Sequence, residues 1–194
     1  MGHAVVAHNL FINGPAETKD DLQASLKILF EEFELLEVKN NIFYDNQALP
    51  DLLYNPLHGS TVELEANLFL RADPASRVVR YRTRDNTTWY VYDSDLELDL
   101  VDLFDGQGSF VSALAADPLL SSAAPGAGLA KTLRPGSPCI DSGVVLGPEL
   151  EAALHPDTSW IPLDVITAAQ SDSGVGWEVG PYAFSAFRPV LCPR

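Results

Sequence analysis

The pattern apolar–x–x–Asn–aliphatic–Phe–apolar occurs three times within the first seventy residues. The copies are Val6-Ala7-His8-Asn9-Leu10-Phe11-Ile12, Val38-Lys39-Asn40-Asn41-Ile42-Phe43-Tyr44 and Leu64-Glu65-Ala66-Asn67-Leu68-Phe69-Leu70. Their asparagines, at positions 9, 41 and 67, are 32 and 26 residues apart. Both intervals fall in the window of roughly 20–50 residues expected of stacked repeats. Asparagine tolerates the left-handed backbone region better than other non-glycine residues, so between two short apolar strands it reads as a bend. Repeated once per coil, Asn9, Asn41 and Asn67 are expected to stack as an amide ladder at a strand spacing of about 4.8 Å. Phe11, Phe43 and Phe69 then form a second, inward-facing stack. The expected fold is mainly β: a short right-handed parallel β-helix, or solenoid.

Between the first two copies the local pattern is ambiguous. Leu22, Leu26, Leu29, Phe30 and Phe33 lie on one face of a helix, with Thr18 or Asp20 as its cap. The same residues divide into two strands, Leu26–Phe30 and Phe33–Val38, and the strand reading is favoured because Phe33 to Val38 must feed an extended second repeat. Residues 78–92 are rich in β-branched and aromatic side chains around Asp85-Asn86, and read as a hairpin or two successive strands.

An acid-dense run follows, Asp93-Ser94-Asp95-Leu96-Glu97-Leu98-Asp99 and onward to Asp105. Carboxylates at alternate positions can converge on a hard cation, which makes Asp93, Asp95 and Asp99 candidate Ca²⁺ ligands. The spacing is not that of an EF-hand, and a solvated acidic face over Leu96, Leu98, Leu100 and Leu103 explains it equally. No other cofactor is expected. Trp89, Tyr90 and Tyr92 are candidate stacking platforms for sugar rings, the alternative being that they pack in the core.

Charge narrows the partners. With 27 acidic and 12 basic residues the net charge is −15, which repels a phosphate backbone and argues against nucleic acid. No run of about 18 apolar residues is present, so no membrane span is expected. The N-terminus runs from Met1-Gly2-His3-Ala4 into Val5-Val6-Ala7 without a basic stretch or a long apolar one, so no signal peptide is expected. Cys139 and Cys192 either staple the tail to the body or stand as separate thiols. The four histidines are scattered and there is no CxxC, which excludes a zinc site.

From Ala116 onward the composition shifts to ordered loops and tight turns. The order is Asp117-Pro118-Leu119-Leu120, then Leu133-Arg134-Pro135-Gly136-Ser137-Pro138-Cys139-Ile140-Asp141-Ser142-Gly143, then Val179-Gly180-Pro181-Tyr182-Ala183-Phe184. Following the N-h-F coils, this resembles the C-terminal part of right-handed parallel β-helix proteins of the pectate-lyase-like group, where the run is DPLF … LxPGSPxIDxG … DIGAYEF. The resemblance spans about residues 5–184, and Pro135 to Gly143 is its most specific piece. Leu120 replaces the usual Phe, and Glu178 to Phe184 departs from DIGAYEF while keeping size and turn character.

The resemblance implies coils with inserted loops over residues 1–115 and a loop-rich capping segment over 116–194, packed on the same core. It implies that the Pro/Gly-rich tail plugs the last coil, whose strand edge otherwise invites aggregation. Asp141 is expected to accept backbone N–H bonds in a turn rather than to do chemistry. A secreted or cell-surface setting is also implied. The coils that would carry a family member's active groove are missing at the front of this sequence. The favoured function is therefore a non-catalytic module, or a fragment of a longer β-helix, acting in protein association, with a homodimer through the open N-terminal coil, or in binding a polysaccharide at a cell surface. The alternative is a polysaccharide lyase or glycoside hydrolase, for which any acid-rich chain offers carboxylate pairs. No catalytic residue is singled out, because fold-level likeness does not supply a reaction.

Overall fold

The structure is a computed structural model that describes residues 2–12, 24–27, 33–44, 51–55, 61–71, 77–82, 88–91, 108–112, 114–121, 132–154, 159–160, 163–170, 175–182 and 184. The first three strands are β1 (Gly2–Ala7), β2 (Leu10–Ile12) and β3 (Ala24–Lys27). The next three are β4 (Phe33–Lys39), β5 (Ile42–Tyr44) and β6 (Asp51–Asn55). Then come β7 (Thr61–Glu65), β8 (Leu68–Leu70) and β9 (Arg77–Arg82). Each triplet forms a layer, and each layer gives one strand to each of three sheets. β1, β4 and β7 pair in parallel, as do β2, β5 and β8, and likewise β3, β6 and β9.

The fourth layer breaks the pattern. β10 (Thr88–Val91) pairs antiparallel with β9 at the edge of the third sheet, the pairing that the hairpin reading of this region expects. β11 (Gly108–Val111) then returns to the first sheet, parallel to β7. Two small antiparallel pairs complete the described strands: β12 (Ala152–Leu154) with β15 (Thr167–Ala169), and β13 (Ser159–Trp160) with β14 (Leu163–Asp164). The result is mainly β, with small sheets of two to four strands rather than a closed solenoid. Helix among the described residues is confined to 3-10 structure, at Pro148–Leu150 and at Gln170.

The helix alternative for the segment before the second repeat does not hold, since β3 and β4 lie there. The first of these strands is Ala24–Lys27 rather than Leu26–Phe30. A helix face would satisfy only local periodicity. As a strand, β4 gains parallel partners on both sides, β1 and β7, and tertiary pairing outweighs the local pattern.

The corner between the first two sheets repeats in every layer. It consists of two residues, His8-Asn9, Asn40-Asn41 and Ala66-Asn67, and the left-handed residue is the first of each pair. Their φ angles are 55° at His8, 55° at Asn40 and 50° at Ala66, so the repeated Asn is not the bend, contrary to the expectation from residue type. It is instead the residue whose amide bridges layers. Ser112, with φ 54°, makes the same corner in a fourth layer that has no Asn and is invisible to the motif. There Leu114 N–H donates to Asn67 O at 2.9 Å, continuing the column in which Leu68 N–H donates to Asn41 O and Ile42 N–H to Asn9 O.

Period-two alternation then sorts the side chains. In the first sheet Leu36, Val38 and Leu64 are buried, while Glu37, Lys39, Glu63 and Glu65 lie on the opposite face. In the second sheet Phe11, Phe43 and Phe69 stack, with ring centroids 4.9 and 5.0 Å apart and planes 14° and 8° from parallel. The other face of that sheet, Leu10, Ile42 and Leu68, is also apolar and needs cover. The C-terminal segment supplies it: Leu120, Leu133, Cys139 and Val179 close over Ile42 and Leu68, with Leu10, Leu114, Ile140 and Phe184 at the margin.

The described part of the tail therefore forms a lateral cover along the layers, because the second apolar face of that sheet runs along the stack. Its three motifs lock together. Leu120 bridges Leu133, Ser137 Oγ donates to Pro118 O at 2.7 Å, and Val179 N–H donates to Cys139 O at 2.9 Å. Asn40 clamps the cover to the second layer, its amide donating to Val144 O and accepting from Val144 N–H, both at 2.8 Å. Gly180, at φ 105°, gives its N–H to Asn40 O, and a Cβ there would stand 2.7 Å from Ile42 Cδ1. Cys139 is a buried free thiol whose pKa burial pushes up to about 12, which makes it an inert core residue. Cys192 lies outside the described residues.

Candidate functional site at the end of the first layer

The amide ladder sets the chemistry of the site. Asn9 donates through its backbone N–H and its Nδ2 to Asn41 Oδ1, both at 3.0 Å. Asn41 repeats this on Asn67 Oδ1, again at 3.0 Å for both. The second amide hydrogens go to main-chain oxygens: Ala7 O from Asn9, Lys39 O and Val6 O from Asn41, and Val38 O from Asn67. Each inner amide oxygen thus takes two donors from the layer before it. Among the described residues no donor reaches Asn9 Oδ1, which begins the ladder.

Burial changes along the same columns. Asn41, Phe43, Ile42 and Val38 are fully buried, and Asn67, Phe69 and Leu64 are within 2% of it. Their first-layer counterparts Asn9, Phe11, Leu10 and Val6 are only half-buried, and Val5 is exposed. Among the described residues all three parallel sheets also end on this layer, at β1, β2 and β3. Among the described residues, apolar columns, the last strand of each sheet and an amide acceptor meet at one end of the stack.

An ionic stripe runs beside it on the outer face of the first sheet. Lys39 Nζ lies 2.6 Å from Glu37, 2.7 Å from Glu63 and 3.6 Å from Glu65, and His3 bonds Glu37. Burial alone would lower the Lys39 pKa, but the bonds to Glu37 and Glu63 outweigh it and hold the ammonium above its ordinary value. For Glu37 burial works upward, and the bonds from Lys39 and His3 leave it below the usual carboxylate value. The signal for this stripe was present in the sequence. Charged residues stand four and two places before Asn41 and Asn67, whereas Val5 and Ala7 hold those places before Asn9.

A second polar cluster ties the cover to the first corner. Glu178 is fully buried; its Oε1 accepts from Phe184 N–H, and its own N–H donates to Gln170 Oε1. Burial pushes its carboxyl up to about 7, and the nearby Asp141 charge adds to this while the Phe184 bond opposes it. The His8 ring packs tilted against Trp177, centroids 5.4 Å apart, and burial lowers its pKa against the backbone of Gly180 and Glu178. Among the described residues His8 Nε2 and Glu178 Oε2 have no hydrogen-bond partner. Nothing in the spacing of His8, Gln170 and Glu178 announced this cluster.

The residues singled out from sequence fall unevenly. Asn9, Asn41, Asn67, Phe11, Phe43 and Phe69 come together as the two columns. Asp141, at φ 56°, accepts from Val175 and Gly176 N–H at 2.8 and 2.9 Å and so holds a turn. Trp89 and Tyr90 lie on β10, opposite Tyr81 and Arg80 of β9. Tyr92, Asp93, Asp95 and Asp99 lie outside the described residues. Among the described residues no group of three or more His, Cys, Asp or Glu could hold a metal ion, and no helix is long and apolar enough to cross a membrane. No protein-family model, no curated protein and no solved structure matches the chain.

Proposed function

We propose that the chain is a non-catalytic right-handed parallel β-helix module of pectate-lyase-like kind, or a fragment of a longer one, that acts in protein association through its first coil. The observation that supports this is the change in burial from Asn41, Ile42 and Phe43 to Asn9, Leu10 and Phe11. The long flank of the second sheet, equally apolar, is covered by the chain's own C-terminal segment. A flat apolar strand end left in water is an aggregation hazard, and pairing with another strand relieves it. Hydrogen exchange tests the reading. An extended peptide with the sequence of residues 33–44 should slow exchange of the β1 and β2 amides while leaving those of β12 and β15 unchanged. Unaltered exchange at β1 and β2 would remove the association reading.

A further inference from the structure

We propose that His8, Gln170 and Glu178 latch the C-terminal cover to the first corner with both titratable side chains neutral. The two titrations oppose one another, so the cover stays seated to the same degree across mildly acid pH. Gln170 carries the geometry. It is fully buried, and its Oε1 accepts the Glu178 N–H at 3.0 Å. A backbone N–H can only donate, so this bond fixes which end of the amide is the oxygen. The other end, Nε2, lies 3.4 Å from His8 Nδ1 and has only hydrogens to offer it. His8 Nδ1 is therefore the acceptor, and the ring is the neutral tautomer with its hydrogen on Nε2. A second ring proton would set N–H against N–H. Glu178 is constrained from another direction. It is fully buried, its Oε1 takes the Phe184 N–H, and among the described residues no donor reaches Oε2. A buried carboxyl oxygen without a donor favours the protonated acid.

The surrounding groups leave both states in place. Asp141 opposes ionisation of Glu178 by its like charge. The backbone of Gly180 and Glu178 favours a charged His8, but burial outweighs it. Lys39 accepts the His8 N–H on its carbonyl at 3.3 Å and sends its ammonium to Glu37, Glu63 and Glu65, where His3 also bonds. Glu151 meets Gln170 through a carbonyl that accepts the Gln170 N–H, and the buried Cys139 thiol, pushed up to about 12, is neutral. Detached from the corner, His8 holds a proton below about 6.5 and Glu178 loses its own above about 4.5. Between those values closing the latch releases one proton from His8 to water, and Glu178 takes one from water. A step with no net proton exchange does not depend on pH. Below about 4.5 the His8 contribution stands alone and is lost as pH falls. From about 6.5 to about 7 the Glu178 contribution stands alone and is lost as pH rises.

Amide hydrogen exchange on the full chain tests the latch. Val179 N–H, bonded to Cys139 O, and Gly180 N–H, bonded to Asn40 O, report the seating of the cover, with Leu68 N–H, bonded to Asn41 O, as the reference in the layers. In the parent the protection of Val179 and Gly180 should change less than about threefold between about pH 4.5 and 6.5. In Glu178→Gln it should fall about tenfold or more as pH drops across that range. In His8→Asn it should fall about tenfold or more as pH rises across it. Asparagine suits this left-handed corner, as Asn40 does at φ 55°. A merely structural loss would lower protection by one factor at every pH. NMR of the parent gives a reading independent of the variants' folding: at about pH 5.5 the Glu178 carboxyl should be protonated and His8 should carry one ring proton, on Nε2. A charged His8 or an ionised Glu178 at that pH, or variant slopes equal to the parent's, would overturn the latch.

Discussion

At the scale of the residue, position within a column decides cost. Phe43 is fully buried between two stacked rings, so Phe43→Ala should cost about 3–5 kcal/mol. Phe11 is half-buried with one ring neighbour and should cost less, about 1–3 kcal/mol for the same change. Asn41→Ala should cost about 1–3 kcal/mol by orphaning the Asn9 donors. Urea denaturation midpoints in that order check the columns; equal losses at Phe11 and Phe43 would contradict them. Glu178 gives a pH-dependent counterpart. Its folded pKa lies above its unfolded one, so its contribution is present below about pH 4.5 and lost as pH rises through about 7. Glu178→Gln keeps an acceptor for Phe184 and removes the buried charge. It should therefore raise the melting temperature at pH 8, with the gain vanishing toward pH 4.5. His8 acts oppositely, its contribution being lost as pH falls below about 6.5, so the variant should show a steeper acid limb than the parent. The asparagines were legible because their spacing repeats. The roles of Glu178 and Gln170 were not, since a buried acid and a surface acid look alike in a sequence until chain segments far apart are brought together.

At the scale of the element, strands were legible wherever the motif or β-branched density marked them, as at β4, β5, β7, β8 and the β9–β10 pair. Helix and strand competed before β4 because an apolar spacing of four suits a helix, and only partners distant in sequence resolve the choice. The fourth layer is not marked in the sequence because Ser112 takes the left-handed corner and no asparagine follows it. The C-terminal segment was legible as an ordered, Pro/Gly-rich cover, but its place was not. That place follows from the second sheet being apolar on both faces, which is a property of the folded sheet. Gly180 sits where the cover presses on Ile42, in the left-handed region where a side chain is strained. Gly180→Ala should cost about 1–3 kcal/mol and lift the cover. Limited proteolysis should then cut within 175–184 faster than in the parent while the β4–β5 amides keep their exchange protection. Loss of protection at both together would show that cover and layers unfold as one unit.

At the scale of the whole molecule, parallel stacking in one register is what makes the ladder, the ring column and the half-buried first layer parts of one arrangement. Slipping a strand by one residue would turn Val38 and Leu64 outward and bring Glu37 and Glu63 into the core. Register is therefore the central claim, and engineered disulfides report it directly. Registered neighbours in adjacent parallel strands lie within disulfide reach, and positions 5, 37 and 63 share the outer face of the first sheet. In a Cys139→Ala, Cys192→Ser background, the pairs Val5→Cys/Glu37→Cys and Glu37→Cys/Glu63→Cys should oxidise to near completion in the native protein. The offset pairs Val5→Cys/Val38→Cys and Glu37→Cys/Leu64→Cys should not. Cross-linking of the offset pairs as readily as the registered ones, or of neither, would contradict the stack.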